Sequence, residues 1–145
     1  MTALEFQREM SSKVCNCAQI VFSYFAEKNG LDINKALKIS SAFGGGMGKG
    51  DICGVITGAY VALGLIYGND LENNDRLILN RKMKEFDLEF KKVSCERRCE
   101  DILGVNVGDK EKVMEFAKKN PNFKAVCPKL VINSIEIIEK LQKVN

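Results

Sequence analysis

Apolar side chains along this chain recur three and four residues apart, and the recurrences stop at Gly, Asn, Asp or Ser. Such spacing gathers the apolar positions on one face of a helix, and the punctuation marks helix ends. It predicts a helix over 16–29, with Ala18, Val21, Phe22 and Phe25 on one stripe and Gly30 closing it. A second is expected over 32–41, opened by Asp32 and closed by a run of glycines. The third, over 51–67, is apolar on all sides, which marks it as the central one. Residues 75–93 read as a long charged helix with Leu79, Met83, Phe86 and Phe90 on its apolar face; 94–103 and 109–119 read as shorter ones. The last, over 128–143, buries Val131, Ile135, Ile138 and Leu141. Sustained two-residue alternation and Asn-Gly or Asp-Gly hairpin turns are missing from the sequence. The expected fold is all-α: one domain over 1–145, a compact bundle of about seven helices around a central, glycine-rich apolar helix.

The junction into that central helix reads GGGMGKGDICGVITGAYVALG over 44–64. A phosphate-binding loop needs a first glycine where Phe43 stands and a hydroxyl after Gly48-Lys49, where Gly50 stands. The dinucleotide fingerprint fails too, because Lys49 or Asp51 occupies the position of its last glycine in either register. The apolar run over 52–67 has sixteen residues and three glycines, short of the roughly 20 that span a bilayer. What remains is a flexible turn, shaped by Gly46 and Gly48, that lets another backbone approach before Asp51 caps the next helix. Cys53 then falls in the first helical turn, where unpaired amides and the macrodipole favour a thiolate, so it is expected to be the most reactive cysteine. Behind it Gly54, Gly58 and Ala62 recur every four residues and leave one face smooth for a neighbouring helix.

Composition narrows the chemistry. With 46% hydrophobic and 28% charged residues the chain can bury one ordinary core, and 22 basic against 19 acidic residues is too small a surplus to argue for nucleic acid or an anionic membrane. The first residues, MTALEFQREMSSK, resemble neither a signal peptide nor a transit sequence, so a cytoplasmic protein is expected. There is no histidine, which removes Ser-His and Cys-His catalysis, mixed Cys/His zinc sites and a proximal-histidine haem. There are six cysteines, and in a reducing compartment cysteines more often bind metal or carry out redox work than staple loops. Cys17 follows the capping-box-like Asn16-x-x-Gln19, Cys95 opens the helix at 94 with Cys99 one turn further on the same face, and Cys127 precedes Pro128. Four expected helix starts therefore carry cysteine.

The segments NCAQIVFSYF, AFGGGMGKGDICGVITGAYVALGLIYG, CEDILGVNV and CPKLV resemble the C-GCAxxG-C-C family of redox-active proteins, from about residue 16 to the end of the chain. The resemblance implies a small helical protein whose family cysteines are Cys17, Cys53, Cys99 and Cys127. Val55 stands where a small residue is expected after Cys53-Gly54, and Cys15 and Cys95 look like additions, auxiliary or inert.

The four family cysteines are 36, 46 and 28 residues apart, so any shared site is assembled by the tertiary fold. Structural zinc favours short knuckles, of which only the C-x3-C of CERRC comes near, and a thioredoxin-like C-x-x-C is absent. An iron–sulfur cluster tolerates dispersed thiolates, and its negative charge suits converging helix N-termini. The first expectation is therefore a cysteine-ligated iron–sulfur or other metal centre for electron transfer, with zinc as the alternative metal and neither haem nor nucleotide. The second is a metal-free thiol/disulfide switch, and the third a helical interaction module with structural zinc or inert thiols. Asp51, Glu96, Glu100 and Asp101 read as helix-start charges rather than catalysts. Between 81 and 98 seven basic residues face four acidic ones, a surface for an acidic redox partner or simply a solvated helix face. Neither nucleic acid nor a membrane is expected as a partner, and homo-oligomerisation is left open.

Overall fold

The computed structural model describes residues 1–143. Among them the fold is all-α, with eight helices: α1 (Ala3–Ser11), α2 (Cys17–Ala26), α3 (Ile33–Ser40), α4 (Gly54–Tyr67), α5 (Leu77–Lys91), α6 (Cys99–Leu103), α7 (Lys110–Lys119) and α8 (Val126–Lys143). Local chemistry accounts for several of the boundaries. At the start of α2 the Asn16 carboxamide accepts from Gln19 N at 2.9 Å while Gln19 Oε1 accepts from Asn16 N at 2.9 Å, a reciprocal capping box. Asp32 and Asp109 cap α3 and α7 by accepting from Lys35 N and Lys112 N at 3.1 and 3.2 Å.

The central position of α4 is borne out. Val55, Ile56, Ala59, Ala62 and Leu63 are wholly buried, and the helix packs against α2, α5 and α8. Phe86 and Phe90 of α5 stack at 5.8 Å between centroids, and Val131, Ile135 and Ile138 of α8 complete the core. Each such fully buried side chain contributes roughly 1.5–3 kcal/mol. The smooth stripe serves the α2–α4 contact: a Cβ on Gly58 would lie 2.8 Å from Ala18 O and 2.9 Å from Ala18 Cα. The two backbones meet more closely than any larger residue permits.

Four expectations are corrected. Helix α1, begun by Thr2 Oγ1 accepting from Glu5 N at 3.1 Å, was not foreseen. Asp51 does not cap α4; its carboxylate accepts from the next amide, Ile52 N, at 2.8 Å, and Cys53 is itself the residue flanking the helix. The helix expected over 94–103 contracts to α6. The reason for both changes is one long-range pairing: Ile52 and Arg98 form an antiparallel bridge in which Cys53 N donates to Arg97 O at 2.8 Å and Cys99 N donates to Asp51 O at 2.7 Å. Those amides are committed across the chain and are withheld from a local turn. Finally, α8 starts at Val126, so Pro128 is its third residue, still inside the first turn where its missing N–H has no intrahelical partner to lose. Among the described residues no helix is long and apolar enough to cross a membrane.

Candidate functional site

The Asn16 box makes Cys17 the first residue of α2, and Gly54 and Gly58 press α4 onto Ala18, so the starts of α2 and α4 lie side by side. The 51–53 and 97–99 bridge then fixes Cys53 beside Cys99, the first residue of α6. From the other side Ser134 Oγ donates to Val55 O at 2.9 Å, holding α8 against the first turn of α4 and bringing in Cys127 from the first turn of α8. The result is one cavity of about 360 Å³ onto which Cys17, Cys53, Cys99 and Cys127 all open.

A family model described as "Putative redox-active protein (C_GCAxxG_C_C)" matches residues 15–141. The chain belongs to this family. Neither the curated proteins nor the solved structures compared with it gave a match.

The four cysteines expected to carry the motif, Cys17, Cys53, Cys99 and Cys127, all line the cavity. The fifth, Cys15, lies just before α2, half-buried, and lines the same space. Cys95 does not join them: it is exposed, in a surface depression with Lys84, Lys91 and Arg97. The expectation that Cys95 and Cys99 share a helical face fails because 94–98 is not helical. Of the residues expected to shape the site, Gly54 lines the cavity, while Gly58 acts from behind through the α2 contact. Gly46 and Gly48 do not line it. They form the left-handed turn behind it, with φ of +63° and +72°, and a side chain on Gly46 would collide with the Asp51 backbone. Asp51 contributes its carbonyl to the bridge rather than its carboxylate to the site. Val55, which replaces the small motif residue, is wholly buried and forms part of the cavity wall.

The four thiols are not equivalent. The Cys17 thiol, acting as donor toward the Cys127 sulfur, is the largest influence on the ionisation of Cys127, and Cys127 is the largest on that of Cys17. The Cys17 donor stabilises a Cys127 thiolate, which the Lys124 charge also favours, and brings that group down to about 7 against the opposing effect of burial. Cys17 is pushed well up, first by the same pairing with Cys127, then by burial and by the neighbouring sulfurs. Above about pH 7 the pair therefore holds one proton and one negative charge. Cys53 goes the other way from expectation: burial pushes it up to about 11 and outweighs the hydrogen bond it gains at the start of α4. Cys99 is raised too, by burial and then by the Cys127 charge.

The donors are sulfur alone, the kind that selects zinc or iron–sulfur centres. Yet among the described residues no three Cys, Asp or Glu side chains stand together as a metal-holding group. The sequence alone carried no sign of three polar residues of the cavity: Gln7 and Ser11, which lie on the unforeseen α1, and Lys124, just before α8.

Proposed function

We propose that this protein is a thiol-based redox carrier in which Cys17 and Cys127 cycle between a dithiol and a disulfide. The observation that supports it is that Cys17, at the start of α2, and Cys127, in the first turn of α8, open onto one cavity, where each is the strongest single influence on the other's ionisation, and a thiol beside a more readily ionised one is suited to exchange. Oxidation joins the two sulfurs, passes two electrons to an acceptor and releases the one proton that the thiol–thiolate pair holds; reduction reverses it. Cys53 and Cys99, kept protonated by burial, frame the pair.

The test is intact-mass spectrometry of the reduced protein before and after mild oxidation with diamide, followed by peptide mapping. A reversible loss of two protons mapped to Cys17–Cys127 is expected. A disulfide elsewhere, or none, overturns the reading.

A second reading, an iron–sulfur or zinc centre held by Cys17, Cys53, Cys99 and Cys127, draws on a different observation: five thiols, these four and Cys15, line the cavity where a disulfide needs two. Anaerobic purification with iron, sulfide and zinc analysis and a visible spectrum decides it. Stoichiometric metal lost in Cys53→Ser would favour the centre over the dithiol.

A further inference from the structure

Gln7, in the middle of α1, is 6% exposed, and its carboxamide makes no hydrogen bond to any described residue. No side-chain nitrogen or oxygen among the described residues is both fully enclosed and unpartnered. The Gln7 amide therefore meets open space, and the space it lines is the thiol cavity. Its donor and acceptor are therefore free to pair with a group that enters the cavity. Lys124 is the one charged side chain among the described residues lining that cavity, and no carboxylate lines it to neutralise the charge. Much of the remaining wall is apolar, including Ile102, Leu103, Leu130 and Val131. At about 360 Å³ the space is that of a small-molecule site.

We propose that the cavity binds a low-molecular-weight disulfide bearing an amide and a carboxylate, with Gln7 pairing the amide and Lys124 the carboxylate. Gln7 offers both a donor and an acceptor, which matches an amide; the lone cation matches an anion; and the sulfurs are the groups with which a disulfide reacts. Gln7 lies outside the residues 15–141 that define the family match, so this recognition belongs to the chain's own α1.

The inference rests on the dithiol reading for its chemistry. The Cys127 thiolate attacks one sulfur of the ligand, the ligand S–S bond breaks, and one thiolate leaves. Cys17 gives up its proton and attacks the Cys127 sulfur of the mixed disulfide, releasing the second thiolate. With one further proton from solvent the products are two small thiols and the Cys17–Cys127 disulfide, so two electrons pass from protein to ligand.

Two measurements separate the site from the chemistry. The first is calorimetric titration of the reduced protein with S-methylglutathione, which carries the amides and carboxylates but cannot exchange. Saturable one-to-one binding is expected, weakened about tenfold in Gln7→Met, a volume-conserving change, and by a similar factor in Lys124→Gln, a change at an exposed residue. Circular dichroism checks that both variants keep their helix content. No binding by the unaltered protein, or equal binding by both variants, overturns the site whatever the thiols do. The second measurement is the rate of Cys17–Cys127 disulfide formation with oxidised glutathione, expected to fall about tenfold in each variant. If S-methylglutathione binds as expected and that disulfide never forms, the site stands and the dithiol reading falls.

Discussion

Ionisation at this site is decided by individual contacts rather than by helix position. Three thiols at or beside helix starts, Cys17, Cys53 and Cys99, are raised, and a fourth, Cys127, is lowered. The favourable field of a helix end is worth at most about 2 kcal/mol in a partly buried site, less than burial of a thiolate without a specific donor can cost. Cys127 has such a donor in Cys17. Its alkylation by iodoacetamide, followed residue by residue by mass spectrometry, is expected to reach half its limiting rate near pH 7. Cys17→Ala removes the donor and should shift that midpoint upward toward the ordinary thiol value of 9.0. An unchanged midpoint would show that Cys17 does not set the thiolate. Four cysteines could be singled out in the sequence through the family resemblance, and the Asn16 capping box placed Cys17 at a helix start. Their ranking could not, because it depends on which sulfur faces which across the fold.

At the level of the helix, two glycines of α4 make opposite predictions. A Cβ at Gly58 would press into the α2 backbone at Ala18, whereas at Gly64 it would meet nothing within 4 Å. Gly64→Ala should therefore stabilise the protein by about 0.5–1 kcal/mol through chain entropy and helix propensity. Gly58→Ala gains the same propensity but must push α2 away, and overpacking of this kind costs about 1–3 kcal/mol, so net destabilisation is expected. Urea denaturation of the two variants is the check, and equal effects would mean that α2 and α4 are not in close register. The Gly54, Gly58 and Ala62 stripe announced this contact from its spacing alone. Helix α1 gave a weaker signal: its buried residues Ala3, Gln7 and Met10 are spaced as a helix face, but the central one is polar and breaks the apolar period. Its Thr2-x-x-Glu5 start was the available clue. The misreading of Asp51 and of residues 94–98 has another origin. An isolated bridge between segments 46 residues apart leaves no periodicity in either.

Across the whole molecule the thiols should shape the dependence of stability on pH, because no histidine is present to obscure them. Cys127 is held at about 7 in the fold against an ordinary value of 9.0, so between those limits the unfolded chain keeps a proton that the native chain has lost. Stability due to this group is then fully present above pH 9 and drains away as pH falls toward 7. Cys53, pushed to about 11, has the opposite sign: above pH 9 the unfolded chain loses its proton while the native chain retains it, so stability falls as pH rises. Cys17 and Cys99, raised as well, act in the same direction as Cys53. For the protein kept reduced with excess phosphine, the thiol contribution should therefore pass through a maximum near pH 9, readable as the urea midpoint measured from pH 6 to 10. Cys127→Ala should flatten the rising limb and leave the falling one, and Cys53→Ala should make the falling limb shallower without touching the rise. Comparing slopes rather than absolute midpoints keeps the test independent of the cavity each substitution leaves. If the rising limb persists unchanged in Cys127→Ala, the thiolate of the native protein resides on another sulfur, and the direction of attack proposed for the redox cycle is reversed.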